Sequence, residues 1–387
     1  MSVAARTADD ARTPGRARPA PGAGITVAVV GGEDADALAL FARQQAELAE
    51  RYGEPDSGAF DAAGLLAAFV VHDDGTPVAC VALRDVSGTP DGRGGQHPPT
   101  TGEVKRLYVA AEHRGRGHAR TAMQALHAHA ATSGLRRLVL ETGTRQPESV
   151  DLYLDLGYTP TETYGHYAGD PLSRCFALDL AGLHDDGSAA ARRRPAPVGP
   201  TSGAAGAHGT GARASIAPAA VEVLAVAWDD PDAAALRREM HDTSSAALYP
   251  ELFTGLDAAG GFEAVDARLG EDTVATFVAR RGDAAVGCAS LQQVAHEVRA
   301  VHGEAFEVKK VFVREGARGS GVARALLAAV EAEARRRGAR TLLLETGIRQ
   351  PGAIRLYRSL GFRTVLPYAP YDRDAHGIAL CFAKLLR

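Results

Sequence analysis

The sequence predicts an α+β protein made of two tandem domains of one design, each a mixed, mostly antiparallel sheet flanked by helices. Three observations predict it. An offset of 204 residues carries Gly117 onto Gly321 and aligns three long blocks without a gap: "GEVKRLYV" on "FEVKKVFV", "LVLETGTRQP" on "LLLETGIRQP" and "DLYLDLGY" on "RLYRSLGF". A repeat of that length is a duplicated domain, because solenoid units repeat every 20–50 residues or so. Within each copy, hairpin-like strands come first and strand–helix–strand units later, which is the order of an α+β fold with a mixed sheet. Each copy also carries an arginine-rich glycine turn, "RGRGHAR" and "RGSGVAR", between a strand and a helix.

The first copy reads as follows. The run at 25–30 is a strand, and 34–51 is a helix. "LLAAFVVH" and "VACVALRDV" are two strands joined by an "HDDGTP" turn. The loop "SGTPDGRGGQHPPT" is read as a long, mobile hairpin connection. A strand at 103–109 leads into the glycine turn, followed by a helix to about Ser133 and a strand at 138–142. A short helix begins near Pro147, where proline suits a first helical turn. One or two closing strands end at Leu180, and the second copy is expected to repeat this order from Val221 to Leu386.

These copies set the domain boundaries at 24–184 and 220–387. The Ala-, Arg- and Pro-rich residues 1–23 read as a disordered tail without the apolar core of a secretory signal. Residues 185–219, rich in Gly, Ala, Pro and Ser, read as a flexible linker, with Arg192–Arg194 as a solvated charge run or a docking patch. A chain of 387 residues with a net charge of −4 has no basic field that argues for nucleic acid, and no apolar run long enough for a membrane span. A cytoplasmic location is expected; the oligomeric state is not legible. Cys80, Cys175, Cys288 and Cys381 each fall in a strand-like run and form no CxxC pair, so they read as buried reduced thiols. His127 and His129, two apart on a helix, point different ways, and no metal site is expected.

A strand, an Arg-Gly-Arg-Gly turn and a helix start together place several unpartnered backbone N–H groups at the positive end of a helix dipole. That is an anion site suited to a pyrophosphate. Gly115, Gly117 and Ala119 allow close approach of the backbone, while Arg114, Arg116 and Arg120, or Arg318 and Arg324, add charge. Neither turn ends in Gly-Lys-Ser/Thr or forms GxGxxG, which excludes P-loop and Rossmann phosphate sites.

Arg114-x-x-Gly117-x-Ala119 and Arg318-x-x-Gly321-x-Ala323 resemble the Q/R-x-x-G-x-G/A signature of the GNAT superfamily of N-acetyltransferases. The strands before them and the "LYLDLGY" and "LYRSLGF" segments resemble that family's fourth strand and its helix before the sixth strand. The resemblance covers most of both copies. It implies acetyl-CoA as cosubstrate, one per domain. Pyrophosphate would lie on Arg114, Gly115, Arg116, Gly117, His118, Ala119 and Arg120, or on Arg318, Gly319, Ser320, Gly321, Val322, Ala323 and Arg324. Pantetheine would run along Leu107, Tyr108 and Val109, or Val311, Phe312 and Val313, with the amide of Leu107 or Val311 on the thioester carbonyl. Where the family often has an asparagine that contacts the cofactor, this chain has the longer Gln146 and Gln350.

Amine acetylation needs a base to free the amine and an acid for the departing thiolate. Glu103 and Glu307, two alternations before Leu107 and Val311, are expected on the same face and stand where some family members carry a catalytic glutamate. Alternatively, each pairs with a neighbouring lysine. Tyr153 and Tyr357 match the family tyrosine near the sulfur, and a phenol of pKa about 10 can donate to a thiolate. "TYGHYAGD" and "PYAPYDRD", with Glu141 and Glu345, would line a pocket for a cationic acceptor, or form a surface loop over core tyrosines. The expected activity is N-acetyl transfer to a primary amine of a small molecule or peptide. The alternative is a tandem protein in which one copy binds acyl-CoA without turnover.

Overall fold

The computed structural model describes residues 24–53, 64–183, 220–258 and 260–386. The tail expected at 1–23 and the linker at 185–219, with Arg192–Arg194, lie outside the described residues. Among the described residues no helix is long and apolar enough to cross a membrane.

The first copy starts with strand β1 (Ile25–Val30) and helix α1 (Ala35–Tyr52). Asp34 caps α1 by accepting from the amides of Asp36 and Ala37, and Gly53, at φ 82°, ends it. Strands β2 (Leu65–Asp73) and β3 (Thr76–Asp85) form the expected hairpin about Asp74 and Gly75, whose φ values are 48° and 80°. Then come β4 (Thr101–Val109), α2 (His118–Thr132), β5 (Arg137–Gly143), α3 (Pro147–Asp155), β6 (Thr159–Thr161) and β7 (Ser173–Asp179). The sheet order is β1-β2-β3-β4-β5-β7-β6, and β4 pairs with β5 in parallel. The middles of β2 and β3 are buried on both faces, because α1 and α2 both pack on β3. Strands covered on two sides carry continuous apolar runs, which is why "AAFVV" and "VACVAL" do not alternate.

The connection at 87–100, expected to be mobile, is a hydrogen-bonded hairpin tip. His97 donates to the Thr89 carbonyl at 2.9 Å, and Asp91 accepts from the amides of Arg93 and Gly95 at 2.8 and 2.9 Å. Its Asp and Gly residues build an Asx turn instead of an open loop.

The second copy runs β8 (Val221–Val226), α4 (Pro231–Met240), α5 (Gly261–Glu271), β9 (Thr273–Arg281), β10 (Ala284–Gln293), α6 (His296–His302), β11 (Ala305–Val313), α7 (Val322–Arg336), β12 (Thr341–Gly347), α8 (Pro351–Ser359), β13 (Arg363–Thr364) and β14 (Ala379–Leu385). The order β8-β9-β10-β11-β12-β14-β13 repeats that of the first sheet. Two differences go beyond the expected repetition. Helix α6 replaces the hairpin tip, seating Val298 in a cluster with Val294, Leu343, Tyr368 and Cys381. After α4 the chain continues through a π turn at His241–Ser245, and Arg237 of α4 forms a buried ion pair with Asp266 of α5 at 2.8 Å. The four cysteines are buried and none is in a disulfide.

The compact units of the chain do not coincide with the repeat copies. One holds Met1–Leu140 and Leu178–His184; the other holds Glu141–Ala177 and Asp185–Arg387. Ion pairs and hydrogen bonds account for the placement of 141–177. Arg358 pairs with Asp151 and Asp155, Thr364 donates its amide to Asp151 at 3.0 Å, and Arg174 meets Asp374 at 3.2 Å.

Candidate active site

The second copy brings most of its sequence-selected residues around one opening. Parallel pairing of β11 with β12 covers only Ala305–Glu307 against Thr341–Leu343, although the strands run on to Val313 and Gly347. Beyond Glu307 the two strands part. On the other side of β11, Cys288 faces Phe312 while Ser290 faces Lys309, so β11 spends three residues where β10 spends two. This is a β-bulge, and Lys310 at its centre has φ 54°. The Cys288 thiol donates to the Lys310 carbonyl at 3.4 Å. The first copy repeats the device: Cys80 faces Tyr108, Ala82 faces Lys105, Arg106 has φ 58°, and the Cys80 thiol reaches the Arg106 carbonyl at 3.5 Å.

The bulges correct one expectation. Strict alternation would set Glu103 on the face of Leu107 and Glu307 on that of Val311. The extra residue shifts the parity, and the register puts Glu103 on the face of Tyr108 and Glu307 on that of Phe312.

Each glycine turn enters its helix through two glycines in the left-handed region, Gly115 and Gly117 at φ 75° and 87°, and Gly319 and Gly321 at 73° and 89°. No side chain caps either helix start, so the donors of the first turn remain for a ligand. Arg114 and Arg318 bracket the turns by donating from Nε to the carbonyls of Val109 and Val313 at 3.0 and 3.1 Å. Part of their function is therefore to hold the turn. His118 and Val322 point inward, 2% and 1% exposed, which leaves their backbone alone for a ligand.

A cleft of about 690 Å³ opens beside the second turn. Its walls include Val311, Phe312 and Val313 of β11, the turn and helix residues Arg318, Gly319, Gly321, Val322, Ala323 and Arg324, and Gln350 and Tyr357. Glu307 and Ser320 are not among its lining; the Ser320 hydroxyl instead donates to the Ala317 carbonyl at 2.5 Å. Sequence reasoning missed Met240, Ser244 and Leu248, which reach the cleft from the end of α4, the π turn and the helical turn after it, and Arg349. The one available signal was that Arg349, like Gln350, recurs in the "RQP" of both copies. Arg349 is held by Glu162 at 2.6 Å and Glu251 at 2.5 Å.

Two carboxylates of the second copy differ in surroundings. Glu307 accepts from the hydroxyls of Tyr368 and Tyr371 at 3.0 and 2.9 Å and lies 3.3 Å from Lys309 Nζ, three donors that hold it in place. Glu345 on β12, only partly exposed, has its pKa pushed up to about 7 by burial, with Lys309 opposing and Glu307 adding to the rise. Burial also raises the Tyr357 phenol above its usual value, with Glu345 contributing, so it stays protonated at neutral pH.

In the first copy, Glu103 is 3% exposed and pairs with Arg84 at 2.8 Å and Lys105 at 3.7 Å. The strand position of Arg84 is taken in the second copy by Gln292, which faces Glu307. Leu107 to Val109 end β4, and Arg114 to Arg120 form the turn and start of α2. Gln146 precedes α3, and Tyr153 lies buried on it, its phenol raised by burial and by Glu141. Glu141 accepts from the Ser173 hydroxyl at 2.7 Å.

Comparison with known proteins places this geometry. An IAA acetyltransferase from Azospirillum brasilense is 41% identical over 106 residues, 27% of this chain and 65% of that protein. N-acetyltransferase family 8 member 2 from Rattus norvegicus is 30% identical over 112 residues, 29% of this chain and 46% of that protein. The chain thus spans less than two thirds of either relative. A GNAT family acetyltransferase from Elizabethkingia anophelis, solved with acetyl-CoA bound, is 18% identical with a TM-score of 0.32, covering 43% of this chain and 98% of that one. The model of the acetyltransferase (GNAT) family matches twice, at 36–158 and 239–362, each match containing a bulged strand, a glycine turn and the tyrosine helix. With more than half of its length matched in this way, the chain belongs to the GNAT acetyltransferase family.

Proposed function

We propose that the protein transfers an acetyl group from acetyl-CoA to a primary amine of a small molecule or peptide, with the second copy, within 220–387, as a complete catalytic unit. The reading rests on one observation: the cleft of about 690 Å³ has the uncapped turn at one side and Tyr357 in its wall. Coenzyme A's pyrophosphate fits the turn amides, and its pantetheine fits the seam where β11 leaves β12. The acetyl carbonyl then meets the end of β11, where the amide of Val311 polarises it. The amine attacks that carbonyl, the C–S bond breaks, and Tyr357 protonates the departing sulfur. Glu345, with a pKa of about 7, takes the amine's proton at neutral pH, while Glu307 is held in place by two tyrosines and a lysine.

A second reading gives the first copy, within 24–184, acyl-CoA binding without turnover. The ion pair of Glu103 with Arg84 favours it, because a carboxylate already engaged by a guanidinium is not placed to meet an incoming amine. Calorimetry with acetyl-CoA counts the sites: two or one per chain fits, and none removes the transferase reading. Free-thiol release with amines, polyamines, amino acids, peptides and IAA, the compound in one relative's name, identifies the acceptor.

A further inference from the structure

Outside the cleft, the first unit assembles a group from two separate stretches of the sequence. Asp73 ends β2, His113 ends the 3₁₀ turn Ala111–His113, and His118 opens α2. One ligand atom from each, a carboxylate oxygen and two imidazole nitrogens, lies within 4.8 Å of the others. We propose that Asp73, His113 and His118 bind a first-row divalent transition-metal ion, Zn2+ by the chemistry of the donors.

Distances support it. Asp73 Oδ2 is 3.6 Å from His118 Nε2 and 3.9 Å from His113 Nδ1. Donors held about 2.0–2.1 Å from a tetrahedral ion stand about 3.3 Å apart, so small side-chain rotations close the shell. Burial supports it independently. His118 is 2% exposed, and neither of its ring nitrogens has a hydrogen-bond partner; His113 Nδ1 is also buried without one. An unpartnered buried nitrogen is costly, and a metal at His118 Nε2 and His113 Nδ1 removes two such costs.

The other group facing the carboxylate is Arg116, whose guanidinium is 3.8 Å from Asp73 Oδ2. Its side chain is 57% exposed, so it can swing into solvent when an ion arrives. The second copy shows what the position requires. There Asp73, His113 and His118 are matched by Arg281, Ala317 and Val322, and the Arg281 guanidinium bonds Ser320 of the turn. The second copy ties its hairpin to its turn with a covalently attached cation. The first copy has an acid and two imidazoles there, which need a cation from solution. The ion would staple the β2–β3 hairpin to the glycine turn from behind and leave the turn amides facing outward.

The test uses the full chain stripped of metal by a chelator, then titrated with Zn2+ against a chromophoric chelator and with Co2+ followed through its visible d–d bands. One equivalent is expected, with the intense spectrum of a four-coordinate cobalt site. Asp73→Asn and His113→Ala should each weaken binding on the order of a hundredfold or more, since even outer-shell changes cost about 10–100-fold. Asp74→Asn, one residue along the same turn, should leave binding unchanged. Both ligand variants alter partly exposed side chains, and circular dichroism checks that they fold. Failure to bind either ion, or binding that Asp73→Asn and His113→Ala do not weaken, overturns the site and leaves the carboxylate held by Arg116 and the imidazoles.

Discussion

The amide of Arg349 donates a 2.8 Å hydrogen bond to the hydroxyl of Tyr249, which stands where a side chain on Gly347 would have to be. This contact fixes the rim of the cleft, because Arg349 and Gln350 line it and Gly347 ends β12. Tyr249→Phe leaves a partly buried amide unpaired and should cost about 1 kcal/mol. Gly347→Ala drives a methyl into the phenol and should cost at least as much. Denaturant melts measure both, and each variant should bind acetyl-CoA more weakly. Unchanged melts would mean that the rim is held elsewhere.

Glu345 sets a pH dependence with a definite sign. Its folded pKa is raised from 4.5 to about 7 by burial, so the folded state holds the proton more tightly than the unfolded chain. The stability contributed by the protonated form is complete below about 4.5 and is lost as pH rises through about 7. Glu345→Gln stays neutral throughout. Its melting advantage over the parent should grow from nothing at acid pH to roughly 2–3 kcal/mol in mild alkali. Turnover of the parent should climb through about pH 7, and the variant should lose that limb. A variant whose stability tracks the parent at every pH would show that Glu345 titrates normally.

Tyr357 is raised by burial and remains a proton donor across the neutral range. Tyr357→Phe keeps the ring and removes the proton, so kcat should fall on the order of a hundredfold while the Kd for acetyl-CoA stays within about twofold. An unaltered kcat would reduce the residue to packing beside Phe362, whose ring centroid is 5.9 Å away.

The turns can be counted separately. Gly117 and Gly321 face open space at φ 87° and 89°, so a side chain there strains the backbone and points into the ligand's approach. Gly117→Glu and Gly321→Glu should each remove one acetyl-CoA equivalent in calorimetry, at a stability cost of about 1–2 kcal/mol. If either variant retains full stoichiometry, the ligand does not use that turn.

Arg174 is 3% exposed and meets Asp374, which also accepts the amides of Ile378 and Ala379 at 2.7 Å each. Asp374→Ala strands a buried guanidinium and should cost about 3–5 kcal/mol. Adding Arg174→Met should restore part of that loss; a double variant as unstable as the single one would assign the whole effect to the two amides.

The repeat made most of the fold legible, since most strands and helices of the first copy showed in turns and apolar runs, while its end was read only as one or two closing strands. The glycine turns were legible for a stereochemical reason: positions at φ 73–89° favour glycine, and the letters show it. The bulges were not. Arg106 and Lys310 adopt left-handed backbone because the facing strands impose the register, and neither residue type signals it. The same lapse misled the alternation argument for Glu103 and Glu307. Helix α6 was hidden because the repeat alignment suggested a loop. Arg349, Tyr249 and the Asp73–His113–His118 group become neighbours only through tertiary folding, which spacing along the chain does not report.

The early parting of β11 from β12 gives this sheet an opening in its middle, where most sheets are continuous and only the flanks lie bare. A bare flank invites other chains to add on, but an opening between two strands that are joined below admits only something thin enough to slip in from above. A flexible amide-bearing thread has that shape and that bonding, and its arrival would finish the weave. Occupied, the upper halves of the two strands should exchange their amide hydrogens more slowly; empty, they should be the quickest part of an otherwise rigid sheet.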